Sequence, residues 1–397
     1  MKKIAFAGSF DIVTKGHLWV VQEGLNIADK VVMMVAHNPN KSSFLTEQEK
    51  VQTIEESLVE LGIKDRVEVV VIKKEFTAIA AQRMGCEYMI RGIRTAGEFD
   101  YEALIQRANR DTLGGAKTIF VMAPRDLGSV SSSFVKSFME STGWHWVIKE
   151  FVTNSVYKFL LRKYCYNQIV ALLKANLNPS EISLKNSFDY IANTVIAAYS
   201  EPHRKYHTIE HLAHGLQEVE WARYNCDNTY VPSLNFDLVG LAYVMHDIVY
   251  GQGSDEEKSA KFAIDLLFSG ATEHSSGKIL FLSSHLTKLI LATKYGSEEA
   301  ITLDEEDKLL RSIDLAILGQ SSAVYNWYSE AVRQEWPIPD AKFYPARLNI
   351  LIQFLNLAQN TPLGLIENKD FHLKYNAQTV SNLSREIQII QAITDTY

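Results

Sequence analysis

The chain has 397 residues, 47% hydrophobic and 22% charged, with a formal charge of −7; this length fits two domains of roughly 100–200 residues, and this apolar content excludes a disordered chain. The acidic balance argues against a nucleic-acid binder and no run approaches the roughly 18 apolar residues of a membrane helix, so neither partner is expected. Met1–Gly8 enters a strand-like segment at once rather than a secretory leader, which predicts a cytoplasmic protein, and Cys86, Cys165 and Cys226 point to neither a disulfide framework nor a cysteine zinc site.

Short runs rich in Ile and Val at Lys3–Ala7, Lys30–Ala36, Val67–Ile72, Tyr88–Ile90 and Thr118–Met122 alternate with helical patterns at His17–Ile27, Thr46–Leu61, Thr77–Met84 and Glu98–Leu113. This alternation predicts an α/β domain with a parallel sheet, helices on both faces and ligands at the carboxyl ends of the strands. Phe151–Tyr166 reads as a connecting helix. Beyond it Leu212–Trp221, Leu238–Met245, Ala260–Leu267, Leu280–Leu291, Asp307–Leu318, Ser321–Glu335 and Ala346–Leu357 all carry apolar spacings of three and four, which predicts an all-α domain. The division is 1–160 and 161–397. The first part holds 20 Lys and Arg against 19 Asp and Glu, the second 20 against 28, and eight of the 11 histidines lie in the second. A balanced half suits anionic substrates; an acidic, His-rich half suits cations.

In the first domain, Ala7-Gly-Ser-Phe-Asp-Ile-Val-Thr-Lys-Gly-His17 joins the first strand to the first helix. Gly8 and Gly16 allow close backbone approach, and His17 sits in a first helical turn, where free N–H groups favour anions; an ordinary strand-to-helix turn with an incidental histidine has the same pattern. Arg91-Gly-Ile-Arg94 ends another strand with two guanidinium groups suited to phosphate, Val130–Lys136 sets hydroxyls at a second helix start, and Lys41 follows the second strand. Together Gly8–Asp11, Thr14–His17, Arg91–Arg94 with Glu98–Glu102, and Ser131–Ser133 resemble the bacterial phosphopantetheine adenylyltransferases, of the nucleotidyltransferase superfamily, in order and spacing from Met1 to about Leu160.

That resemblance implies a Rossmann-like fold and reversible transfer of AMP from ATP to 4′-phosphopantetheine, giving dephospho-coenzyme A and pyrophosphate with Mg²⁺, commonly in a homo-oligomer, a hexamer. By the same resemblance His17 donates to the α-phosphate and is catalytic together with Lys41. Ser9, Lys41 and Arg91 hold the phosphopantetheine. Ser9, His17, Gly92, Ile93, Arg94, Glu102, Leu127, Gly128, Ser129, Val130, Ser131, Ser132 and Ser133 contact ATP. Two departures stand out: Ile12 replaces the family's usual proline, which is expected to loosen the loop, and Leu127-Gly-Ser129 replaces an aromatic-Ser-Phe, which is expected to weaken ATP affinity. Another phosphorylated acceptor, such as nicotinamide mononucleotide, is the alternative.

In the second domain His207 and His211 are four residues apart, on one face if a helix has begun; His246-Asp247 ends an apolar helix, and Asp314 lies in an apolar run. Buried acids and imidazoles are costly unless paired or metal-bound, and His, His-Asp and Asp on successive helices form a nitrogen and oxygen donor set for a divalent ion. Each alone also reads as a solvated or capping residue. The pattern resembles the HD superfamily of metal-dependent phosphohydrolases, in the branch with Tyr-His-x-x-x-His, over about Tyr166 to Tyr397. The resemblance implies an HD-type fold, His211, His246, Asp247 and Asp314 as ligands of a divalent metal (Mg²⁺, Mn²⁺, Co²⁺, Ni²⁺, Fe²⁺ or Zn²⁺), and His207 as a general acid in hydrolysis of an unidentified phosphoester. Arg204 is either a phosphoryl contact or a surface arginine, Asp255–Glu257 either support the site or start a helix, and Asp304–Asp307 start one. His214, His274, His285 and His372 are expected to be structural. The expected whole is a bifunctional enzyme; the alternative for the second domain is a metal-stabilised sensor or oligomerisation module.

Overall fold

The computed structural model describes residues 1–37, 42–107, 114–177, 187–226, 234–268, 276–295 and 303–394, which fall into two units, Met1–Leu160 and Leu161–Tyr397.

In the first unit, β1 (Lys3–Gly8), α1 (Lys15–Ile27), β2 (Lys30–Ala36), α2 (Glu47–Glu60), β3 (Val67–Ile72), α3 (Thr77–Arg83), β4 (Cys86–Ile93), α4 (Ala96–Arg107), β5 (Lys117–Met122), α5 (Ser132–Phe138) and α6 (Trp144–Ile148) follow in order. The strands form one all-parallel sheet in the order β3-β2-β1-β4-β5. Because alternate side chains leave opposite faces of a strand, Ala5, Ala7, Val32, Met34 and Met89 pack on Ala78, Ala80 and Ala81 of α3. Ile4, Val31 and Ile90 approach Gly24 of α1 from the other face. From β1 the chain builds outward through β2 and β3, then returns to place β4 on the opposite side of β1. That reversal opens a crevice beyond the carboxyl ends of β1 and β4, where an open parallel sheet binds its ligand.

The helix expected over Phe151–Tyr166 is α7 (Asn154–Asn176), which begins later and runs a further ten residues, across the boundary of the units. The second unit then holds α8 (Phe188–Ala198), α9 (Ile209–Asn225), α10 (Phe236–His246), α11 (Asp255–Phe268), α12 (Ser276–Ala292), α13 (Glu305–Asp314), α14 (Ser322–Glu335), α15 (Asp340–Asn360) and α16 (Lys369–Thr394), with no strand among the described residues. A short 3₁₀ helix, Leu315–Gly319, takes the end of the expected Asp307–Leu318 helix. Every residue of α10 except Asp237 is buried, as expected of a central helix that is apolar all round. Gly215 of α9 lets Tyr243 cross it, since a Cβ there would stand 1.9 Å from the ring. Among the described residues no helix is long and apolar enough to cross a membrane.

Candidate active sites in the two units

The first site is a cavity of about 410 Å³ at the crevice between β1 and β4, lined by Gly8, Gly16, His17, Trp19, Arg91, Gly92, Arg94, Glu98, Glu102, Leu127, Val130 and Ser131 among others. Thr14 and His17 owe their spacing first to a capping box: the Thr14 N–H donates to His17 Nδ1 at 3.1 Å, and the Thr14 hydroxyl lies 2.9 Å from the same nitrogen. An Nδ1 that accepts leaves the proton of the neutral ring on Nε2. Burial, and then the charge of Arg94, push the His17 pKa down to about 4, so the ring is a neutral donor near pH 7. Gly16 is needed because a Cβ would lie 2.9 Å from the Val130 carbonyl. The close approach expected at this glycine is therefore between backbone segments.

Arg91 donates to the Ala7 carbonyl at 2.8 Å and lies 3.6 Å from Glu102. Arg94 is paired with Glu98. Both guanidinium groups thus hold carboxylates that an anionic ligand would displace. Glu98 and Trp19 join the wall without having been assigned a ligand contact; Glu98 opens the Glu98–Glu102 stretch of the resemblance, whereas Trp19 lies in a segment whose pattern reads only as a helix. Ile93 is buried because the residue after Gly92 points to the opposite face of β4. Ser9, Gly128, Ser129 and Ser133 also lie off the wall. Ser131 caps α5 by accepting from the Phe134 N–H at 3.2 Å. Ser132 is buried and donates to the Ile12 carbonyl at 2.7 Å, so its hydroxyl supports the loop. Lys41 lies outside the described residues.

Ile12 is fully buried at φ +98°, two residues beyond Phe10 at φ +43°. Proline, fixed near −65°, has no access to that conformation. Asp11 between them accepts from the N–H groups of Phe44 and Leu45 at 3.0 and 2.9 Å and from the Ser43 hydroxyl at 3.2 Å, and pairs with Lys136 at 2.6 Å and Lys50 at 3.5 Å. Burial alone would raise its pKa, but Lys136 and the two amides outweigh it and hold it near 2. A depressed carboxylate stabilises the fold above its unfolded pKa of about 3.9 and loses that contribution as pH falls toward the folded value. We expect Asp11→Asn to cost about 1–2 kcal/mol near neutrality and to shrink the acid-side loss between about pH 4 and 2; urea unfolding across pH measures both.

In the second unit α9 begins at Ile209 with Thr208 as its cap, so the helix has not begun at His207 and the loop delivers that imidazole instead. His211 is in the first turn of α9, His246 ends α10, Asp247 caps it and Asp314 ends α13. One ligand atom each from His211, His246 and Asp314 lies within 4.8 Å of the others. Asp247 Oδ2 stands 3.0 Å from His246 Nε2, 3.8 Å from His211 Nε2 and 3.6 Å from His207 Nε2, and Asp314 Oδ1 is 3.4 Å from His246 Nε2. The His246 Nδ1 lies 2.6 Å from the Tyr243 carbonyl, which requires the proton on Nδ1, and its buried Nε2 makes no hydrogen bond. Burial, with His207 and His246 nearby, pushes the His211 pKa well down, favouring the neutral ring that ligation needs. This donor set, with an orphaned ring nitrogen facing two carboxylates, fits a divalent cation.

Glu335, at the end of α14 and not among the candidate residues, is the partner of His207. Its Oε2 is 2.7 Å from His207 Nδ1 and accepts from the Tyr250 hydroxyl, while Oε1 accepts from the N–H groups of Lys205, Tyr206 and His207. Tyr250 stacks on the His207 ring at 4.1 Å. Arg204 is neither a phosphoryl contact nor a surface residue: its side chain is buried and its guanidinium donates to the carbonyls of Asp247 and Ile248 at 2.7 and 3.0 Å. Asp255 accepts from Gly251 and Gln252 and Glu257 pairs with Lys294, so this trio builds a helix start. Asp304–Asp307 form the capping box of α13. His214 meets Gln320, His285 meets Glu306 and His372 meets the Leu363 carbonyl, while His274 lies outside the described residues.

The parallel sheet with its phosphate-type loop at the β1–β4 crevice defines the first unit as an α/β domain of the nucleotidyltransferase type, and residues 5–138 match the cytidylyltransferase-like family. The similarities below lie in about the first two-fifths of the chain. The phosphopantetheine adenylyltransferase of Chromobacterium violaceum is 35% identical over 164 residues, 41% of this chain and 98% of that protein. That of Latilactobacillus sakei is 38% identical over 131 residues, 33% and 78% of the two chains, and that of Neisseria meningitidis serogroup C 29% over 164 residues, 41% and 94%. Through its first unit the chain belongs to the phosphopantetheine adenylyltransferase family.

Proposed function

We propose that the first unit transfers AMP from ATP to 4′-phosphopantetheine, releasing pyrophosphate and forming dephospho-coenzyme A, and that the second hydrolyses a phosphate ester with a divalent cation. Family membership carries the first half. An oxygen of the acceptor phosphate attacks the α-phosphorus as the bond to pyrophosphate breaks, so the protein's task is alignment and charge neutralisation. His17 Nε2–H donates to the α-phosphate; Arg91 and Arg94 exchange their carboxylates for phosphate oxygens; Lys41 and Ser9 hold the acceptor, and Mg²⁺ accompanies ATP. Pyrophosphate release from the full chain should require 4′-phosphopantetheine. Release with nicotinamide mononucleotide instead would overturn this reading.

At Leu127 the cavity wall lacks the aromatic ring of the resembled family. Leu127→Trp is therefore expected to tighten ATP binding several-fold, by about 1 kcal/mol, as calorimetry would measure; unchanged or weaker binding would count against it.

The orphaned His246 Nε2 between two carboxylates carries the second half. A cation held by His211, His246, Asp247 and Asp314 would lower the pKa of water and screen phosphate charge. Glu335 fixes His207 with the proton on Nδ1, and protonation of Nε2 equips the ring to pass a proton to the leaving oxygen. Glu335→Gln is expected to reduce hydrolysis by about 10–100-fold with metal content intact. The test is metal analysis of the full chain joined to a panel of phosphate mono- and diesters with Mg²⁺, Mn²⁺, Co²⁺ or Ni²⁺. Metal without hydrolysis of any ester would favour a metal-stabilised sensor. The hexamer implied by the resemblance belongs to the same reading, and light scattering reads it.

A further inference from the structure

We infer that Asp11 is a positioning residue for the first unit's reaction, clamping the β1–α1 loop to the segment after β2 and to α5; the inference rests on the adenylyl-transfer reading. Asp11 does not line the cavity, so it acts through what it holds. Its carboxylate gathers the Ser43 hydroxyl and the N–H groups of Phe44 and Leu45 on one side and the ammonium of Lys136 on the other. The adjacent Ile12 carbonyl takes a further bond from Ser132 of α5. The ammonium of Lys50 in α2 also lies 3.5 Å from Asp11, so three segments of the unit converge on two consecutive residues of one loop.

The loop needs such ties because it is strained. Phe10 at φ +43° and Ile12 at φ +98° flank Asp11, and positive φ is an outlier for a β-branched side chain. Strain of this kind persists only where neighbouring structure over-determines it. Phe10 also packs edge-on against His17, with ring centroids 5.3 Å apart. Relaxation of the loop would therefore move the imidazole whose Nε2–H faces the cavity. A displacement of about 1 Å costs on the order of 100-fold when alignment is the main source of rate.

The substitutions separate holding from folding. In Asp11→Asn one oxygen can still accept from the two amides, but the amide nitrogen cannot attract Lys136; Asp11→Ala removes both ties. Lys136→Met takes away the ammonium without touching the carboxylate, and serves if the alanine variant fails to fold. Each is assayed in the full chain, well below its melting midpoint, for kcat and KM with ATP and 4′-phosphopantetheine, beside amide hydrogen exchange. The expected result is a kcat lower by about tenfold in Asp11→Asn and Lys136→Met and by about 100-fold in Asp11→Ala, with either KM changed less than about threefold. Exchange should rise at Phe10–Val13, Phe44 and Leu45 while β1 and β2 stay protected.

Ser57→Ala, which removes a buried hydroxyl bonded to Thr153, is the control for lost stability alone and should keep the wild-type kcat. A wild-type kcat in Asp11→Asn and Asp11→Ala, or a fall matched by an equally destabilised Ser57→Ala, would overturn the inference. If the wild-type chain releases no pyrophosphate with 4′-phosphopantetheine, the reading of the reaction fails separately. Unchanged exchange at Phe10–Val13 would then sink the clamp by itself, and faster exchange there would uphold it.

Discussion

His17→Ala is expected to lower adenylyl transfer by about 10²–10³-fold, the usual loss when one donor to developing negative charge is removed. The magnitude follows from where the proton sits. Because Nδ1 accepts from the Thr14 N–H, the neutral ring offers Nε2–H to the cavity, and burial beside Arg94 holds the pKa near 4. The donor is therefore present, uncharged, throughout the neutral range, and wild-type kcat should show no limb near pH 6.5 attributable to this residue. Alanine also opens the capping box, so about 0.5–1 kcal/mol of stability should go with it. A melting curve separates that loss from the catalytic one. Since the bond strengthens only as charge builds on the α-phosphate, kcat should fall far more than ATP affinity, and calorimetry with ATP against pyrophosphate-release kinetics reads the split. Comparable kcat in the variant would remove His17 from the reaction.

The sheet was legible because its signal is local. Buried parallel strands read as continuous apolar runs, and Lys30–Ala36 and Val67–Ile72 occupy the expected bounds. The helical half was legible where one face is purely apolar and obscure where it is not. The stripe of α16 carries buried Thr379, Asn382 and Glu386 among Phe371, Tyr375, Leu383 and Ile387, which breaks the apolar spacing. Asn382 and Glu386 are satisfied only in three dimensions: Asn382 donates to the carbonyls of Leu318 and Gln320, and Glu386 pairs with Arg347. Glu335 was invisible for the same reason, since its partner His207 lies 128 residues away and no short-range pattern links them. The roles of Ser132 and Arg204 follow from the same geometry. A hydroxyl or guanidinium beside a motif is equally suited to a ligand and to a backbone carbonyl, and in both cases the carbonyl holds it.

The largest effect expected in the second unit is that of His246→Ala, which should abolish both metal retention and phosphoester hydrolysis. His246 is the best-prepared of the donors: its Nδ1 is committed to the Tyr243 carbonyl, so the ring cannot turn away, and its Nε2 faces Asp247 at 3.0 Å and Asp314 at 3.4 Å. Loss of an outer hydrogen-bond partner already costs about 10–100-fold in metal affinity, and loss of the ligand itself should exceed that. Stability provides a readout free of any assumption about substrate. A ligand that binds only the folded state at 100 times its dissociation constant adds about 2.7 kcal/mol. Chelation should therefore lower the melting midpoint of the wild-type chain and restored Mn²⁺ or Co²⁺ should raise it, whereas His246→Ala should respond to neither. The variant's own midpoint without metal should lie below that of the chelated wild type, because alanine removes the imidazole that Asp247 and Asp314 face at 3.0 and 3.4 Å and leaves both carboxylates without that partner. If chelation leaves the wild-type midpoint unmoved and the purified chain carries no divalent metal, the histidines and acids are a polar core and the proposed hydrolase has no centre.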